Sequence, residues 1–217
     1  MSNAIWMITY QLRRKREAAY LEWFHEVHVP EKLARPGYSW ASHYRATNTD
    51  TDDGAPHYLA LFGGETTSVF FNPSPAQLAP KQPAETRDMM ACRVSSRTLI
   101  LTGEWVATDD SAPSAGGGPV DAEAISLTLC DAAGNDMDFG AWLIQEHLPL
   151  VTGNTIHKLL VSSGDVRHAI IHARNADAAP PRSFADATDG EWSAKVASYL
   201  NHPLDRSLIA IEAKDDI

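Results

Sequence analysis

Residues Ala4–Leu12 open the chain with an alternating run that predicts a β-strand. Tyr20, Trp23, Phe24 and Val27 then recur at helical spacing, predicting a helix from about Glu17 to Ala34 that Pro36-Gly37 stops. Strands are expected at Tyr38–Ala46, His57–Gly63 and Arg97–Val106. Between the last two, Asn72–Pro83 carries four prolines, so any second helix there must be short or broken.

The second half repeats this order. Ala124–Cys130 reads as a strand and Ala132–Asn135 as a turn. A helix is expected from about Phe139 to His147, with Asp138 as N-cap. Strands follow at Thr155–Ser162 and Arg167–Arg174, a second helix within Ser183–Leu200, and a last strand at Ser207–Ala213. Between the halves, residues 108–119 hold no large apolar side chain and read as a flexible linker, separating module 1 (1–107) from module 2 (120–217).

A local match supports a duplication. Trp23, His28 and Pro30 form W-x4-H-x-P, and Trp142, His147 and Pro149 form it again at the same place in the second half. With 6 Trp, 9 His and 13 Pro in 217 residues, chance places this pattern roughly 0.015 times per chain. Strand-helix-strand-strand-helix-strand is the ferredoxin-like order, whose sheet leaves one face bare. The expected fold class is therefore α+β: two tandem ferredoxin-like βαββαβ modules whose antiparallel sheets pack face to face as a barrel-like sandwich around a central cavity.

Charge and composition narrow the partners. A net charge of −10 argues against nucleic acid and against an anionic membrane surface. No apolar run approaches the ~18–20 residues of a membrane span. Cys92 and Cys130 lie in different halves without metal-type spacing and read as reduced, buried thiols. The start of the chain lacks a signal-type pattern, so a cytoplasmic location is expected. A possible homodimer is open, because the two sheets could pair within one chain or with a second copy.

The stretch Trp23-Phe24-His25-Glu26-Val27-His28-Val29-Pro30, then Pro36-Gly37-Tyr38 leading into Tyr44-Arg45, resembles the dimeric α+β barrel superfamily and, within it, the EthD-like proteins. His57–Phe62 is similar to that family's third strand. The second half matches through Trp142, His147 and Pro149 but has Thr152-Gly153-Asn154 in place of the Pro-Gly entry. The resemblance implies a wide range of activities: cofactor-free monooxygenases, lactone isomerases, polyketide cyclases, haem-using enzymes and members without assigned activity.

Histidine is the residue to follow, because only its ordinary pKa lies near neutrality. His28 and His147 are the first catalytic candidates, with helix capping as the structural alternative. Pro30 is expected to push Val29 out of the α region and leave His28 on the last helical turn. Trp23 and Trp142, five residues earlier, fall about 140° away around an α-helix and so belong to the core. His25 and His28 have a chelating spacing but no third ligand, so no metal is expected. A two-residue Gly164-Asp165 turn would set His157 opposite His172 and His168 opposite Val161, on the face carrying Leu159 and Ile170. That face could line a cavity or form a solvated rim. His43 and Tyr44 point to opposite strand faces, and Trp40 shares a face with Tyr44. His43 and Tyr44 join the catalytic candidates, with Trp40, His57, Tyr58, His157 and His172 as substrate-binding residues. The loop Asp50–Gly54 faintly resembles a calcium loop but lacks the closing Glu.

These residues point to a cofactor-independent enzyme (lyase, isomerase, cyclase or cofactor-free oxygenase) acting on a small aromatic or carbonyl-containing molecule by histidine acid–base chemistry. No cofactor is expected. The alternatives are a non-catalytic ligand-binding or stress-associated protein, and a haem protein using His147 as axial ligand.

Overall fold

Eight antiparallel strands close into one barrel in the computed structural model, which describes residues 3–47, 55–108, 113, 114, 116, 118–151, 153–181, 184 and 190–211, without the side chains of 202 and 203. The acidic loop Asn48–Gly54 and much of the expected linker lie outside the described residues. In the first half, β1 (Ala4–Leu12), β2 (Tyr38–Ala46), β3 (His57–Gly64) and β4 (Arg93–Thr108) stand in the order β4-β1-β3-β2. In the second, β5 (Ala124–Asp131), β6 (Thr155–Ser163), β7 (His168–Arg174) and β8 (Asn201–Ala210) stand as β8-β5-β7-β6. One chain supplies all eight strands.

Two unequal seams join the halves. Strand β4 is 16 residues long, and its far end pairs with β6 from Ile100 to Thr108. Across the barrel, β2 meets β8 only through Tyr44–Ala46 against Leu208–Ala210. The connector is held at both of its described ends: Val106 and Ser114 exchange backbone hydrogen bonds of 2.9 and 3.0 Å, and Val120 is buried in the barrel core.

Among the described residues, large aliphatic side chains fill the interior between the sheets, where a central cavity was expected. Met7, Leu61, Leu101, Leu127, Leu159, Ile171 and Leu208 meet there from seven strands. Eight strands enclose about as much space as such side chains occupy. Trp40 and Tyr44 share this inward face, as their spacing predicts. The Trp40 indole lies directly on Gly63 of the paired strand, where even one added carbon would overlap it.

Helices cover the outer faces. In the first half α1 (Glu17–Trp23) runs through a π-helical turn (Phe24–His28) into α2 (Val29–Leu33). The short α3 (Pro75–Leu78) and α4 (Ala84–Met90) follow β3. In the second half α5 (Asp136–Trp142) runs into a matching π turn (Leu143–His147), and α6 (Glu191–Tyr199) precedes β8. Asp138 is not the N-cap: α5 starts two residues earlier, after Asn135, and Asp138 pairs with Lys195 at 2.9 Å. Strand β8 begins well before Ser207, because Asp205 and Arg206 hide its apolar alternation; Ala213 is outside the described residues.

Both W-x4-H-x-P motifs build the same local structure. In each, the tryptophan ends the α-helix, the next five residues make the π turn, and the histidine closes it. The amide after each histidine reaches back five residues, Val29 to the Phe24 carbonyl and Leu148 to the Leu143 carbonyl. The proline accounts for the widening. A regular turn would drive its ring into the carbonyl four residues earlier, and a wider turn relieves that clash. Two expectations are corrected. Val29 stays helical (φ −63°, ψ −50°), so His28 lies inside the helix rather than at its end. A five-residue spacing spans one π turn, so tryptophan and histidine are neighbours: ring centroids are 4.8 Å apart for Trp23–His28 and 5.3 Å for Trp142–His147.

The β6–β7 register also differs from expectation. The chain turns over Ser162–Val166, closed by the Val161 amide on the Arg167 carbonyl at 2.9 Å, rather than over two residues. His157 therefore pairs with Ile171, and His172 with Ile156. A one-residue slip reverses every side chain. His157 points into the barrel, while His172 and His168, which pairs with Leu160, point to the helices. Ile170 leaves the face of Leu159 for that of Lys158.

Candidate active site

His25 and His43 meet where the first π turn crosses β2. His25 Nε2 lies 2.9 Å from His43 Nδ1, and His43 Nε2 lies 2.8 Å from the Tyr10 hydroxyl. Tyr20 packs edge-on against Tyr10, with ring centroids 5.7 Å apart, and accepts from Arg93 Nε at 2.5 Å. A hydrogen-bonded chain thus runs through the packed helix–sheet interface from Tyr10 to His25, with the Tyr20–Arg93 pair beside it. Phe24, with its centroid 4.4 Å from that of His43, and Tyr58, at 5.5 Å, hold the imidazole in place.

The chain opens on a cleft of about 600 Å³. The short β2–β8 seam leaves this opening, which Ala41–Tyr44 of β2 line together with Ala210 and Ile211. The second half adds residues 121–123 and the end of β7 around Arg174. His25 is half-buried there, and its Nδ1 makes no hydrogen bond among the described residues. Arg174 uses Nη1 on the Ala178 carbonyl at 2.6 Å, while its buried Nε has no partner. Ser42 and Tyr44 both donate to the Val120 carbonyl, at 2.6 and 3.2 Å, which fixes the segment beside the cleft.

Burial sets the protonation states. It holds His43 well below the ordinary imidazole range, helped by His25 and Arg93, and it lowers His25, with Glu26 opposing. Burial first, then Tyr20, pushes the Tyr10 hydroxyl up. The relay is neutral at pH 7 and can be hydrogen-bonded in two senses. In one, His25 presents a bare nitrogen to the cleft; in the other, an N–H. Converting the first to the second takes one proton onto His25 Nδ1, shifts one along each link and releases one from the Tyr10 hydroxyl.

The other expected residues are dispersed. His28 packs on Trp23, Phe24 and Phe62, and burial, then Lys32 and Arg93, lowers it to about 2. His147 and His172 join through their Nε2 atoms at 2.8 Å on the second half's helix side, lowered by burial to about 4 and 3. Phe184 and Trp142 close around His147 with centroids at 4.7 and 5.3 Å. That packing does not fit an axial haem ligand. His157 is buried inside the barrel, and His57 meets Gln11 Nε2 at 2.9 Å away from the cleft. Tyr58 donates to Glu17 at 2.5 Å. His25 and His28 turn to different neighbours, and no group of three or more metal-type side chains converges among the described residues. His25, Tyr10, Arg93 and Arg174 were not singled out for acid–base chemistry by sequence; the strand alternation around His43 gives the only hint of His25's partner.

No protein family profile matches the chain, and no curated protein matches it. Solved structures share its fold. An anthrone oxidase-like protein superimposes with a TM-score of 0.64 at 10% identity, over 98% of this chain and 92% of that one. A protein named "Putative monooxygenase" from Fusobacterium nucleatum subsp. nucleatum gives 0.56 at 8% identity, over 97% and 93%. A mutant chlorite dismutase from Candidatus Nitrospira defluvii gives 0.51 at 10%, over 97% and 92%. The chain shares the α+β barrel fold of these neighbours. No helix among the described residues is long and apolar enough to cross a membrane.

Proposed function

We propose that the protein is a cofactor-independent enzyme that moves a proton on a small aromatic or carbonyl-containing substrate bound in the β2–β8 cleft. The observation that carries this reading is the His25–His43–Tyr10 chain ending at an open cleft of about 600 Å³, a volume in the range of small-molecule sites. His25 takes the proton from carbon next to the carbonyl, His43 and Tyr10 set its tautomer, and Arg174, which lines the same cleft, supplies positive charge for the developing oxyanion. A role limited to holding a ligand would be favoured by histidines tied to backbone groups. Here they bond other side chains.

In the same reading the chain is a tandem pair of ferredoxin-like modules of EthD-like type, 1–107 and 120–217. The repeated strand order and the repeated π turn support it. The names of two structural neighbours, "Putative monooxygenase" and anthrone oxidase-like protein, suggest that the carbanion left by proton removal then reacts with dioxygen as the oxidant, the CH₂ becoming C=O with release of one water. The test is deuterium exchange at the acidic methylene of anthrone and simpler aromatic ketones in D₂O, followed by NMR. The protein should accelerate exchange on at least one, and His25→Ala should remove the acceleration. Equal exchange by both proteins counts against the reading.

A further inference from the structure

A second cavity, of about 310 Å³, lies between the first half's helices and the outer face of β1 and β4. It adjoins a hollow of about 240 Å³ that shares His28 and Lys32 with it, and neither shares a lining residue with the cleft. Lys32 is 4% exposed and makes no hydrogen bond or ion pair among the described residues; its ammonium sits over the Trp6 ring, 4.7 Å from the centroid. His28 Nδ1 and Arg93 Nη2 are buried without partners. Arg35 and Lys81 add positive charge to the adjoining hollow, and Glu31 is the one acidic side chain lining either space.

In a chain of net charge −10 this is an unusual gathering of cations. Buried cations are costly unless an anion completes them. Among the described residues no carboxylate forms an ion pair with Lys32 or Arg93, and Glu31 acts on Lys32 only weakly, as the last of its electrostatic influences. The rest of the wall is apolar, from Trp6, Ile8, Leu78 and Met90. We propose that this cavity binds an organic carboxylate, with its charged end on Lys32 and Arg93 and its hydrocarbon part against Trp6, Ile8 and Leu78. Burial, then Arg35 and Arg93, lowers Lys32 to about 7, so an arriving carboxylate also restores its charge.

Octanoate is a suitable probe, with octanol and inorganic phosphate as the uncharged and headgroup-only comparisons. Titration calorimetry at pH 6.5 on the full chain, with tryptophan fluorescence reporting on Trp6, should show octanoate binding at least about tenfold tighter than either. Lys32→Met should weaken octanoate about tenfold or more, and His25→Ala should leave it unchanged. Equal binding of octanol or phosphate, undiminished binding by Lys32→Met, or loss in His25→Ala would each overturn the proposal. The wild-type comparison decides alone if Lys32→Met fails to fold.

Discussion

Stability is expected to fall steeply once the pH drops below about 6.5. His28, His147, His157 and His172 are 3, 8, 4 and 2% exposed, and burial holds their folded pKa values near 2, 4, 4 and 3. In the unfolded chain these rings take a proton near the ordinary value of about 6.5. From there down to the folded values the unfolded state binds more protons, so lowering the pH favours it. Above that window the contribution is fully present. Each ring contributes up to about 1.4 kcal/mol per pH unit, so four together contribute up to about 5.6 kcal/mol per unit. Native stability of about 5–15 kcal/mol is exhausted within a few such units. Urea unfolding followed by circular dichroism at pH 7.5, 6.5 and 5.5 should show the midpoint dropping sharply between the last two. A midpoint that stays level down to the carboxylate range contradicts the neutral, buried state of these rings.

Alanine in place of His43 is expected to lower kcat/KM by about 10²–10⁴-fold, the usual worth of a positioned acid–base group. The loss has two sources. His25 no longer has a partner that fixes its tautomer, and the proton has no route to Tyr10. His147→Ala, on the far helix layer, should cost far less than His43→Ala in the same exchange assay. Circular dichroism of each variant separates loss of chemistry from loss of fold. If His43→Ala keeps activity within a few-fold of wild type, the relay is not the catalytic device.

Most of the architecture was legible in the alternation of apolar residues. β1 and β2 have the expected bounds, and β3, β5 and β6 run one residue further. These strands are apolar on both faces or cleanly alternating, so one sequence signal suffices. Two of the errors share a physical origin, because both depended on how many residues a turn consumes. A π turn in place of an α turn brings Trp23 onto His28, and a longer hairpin loop turns His157 away from His172. Helical periodicity and turn chemistry carry no mark of one inserted residue, yet one residue reverses a face. The cleft was illegible for a different reason. It comes from the short β2–β8 seam, which depends on strands more than 150 residues apart and on no local pattern. His43 was legible as a candidate, but its partner His25, three residues before the favoured His28, was not.

Long-range ¹H–¹⁵N spectra of the imidazole rings, recorded from pH 8 to 5, test the histidine relay most directly. His43 should stay neutral in a single tautomer across the range, and its signals should move when His25 is replaced by alanine. A His43 ring that titrates near pH 6.5, or that ignores the His25 substitution, contradicts the relay and the chemistry assigned to it.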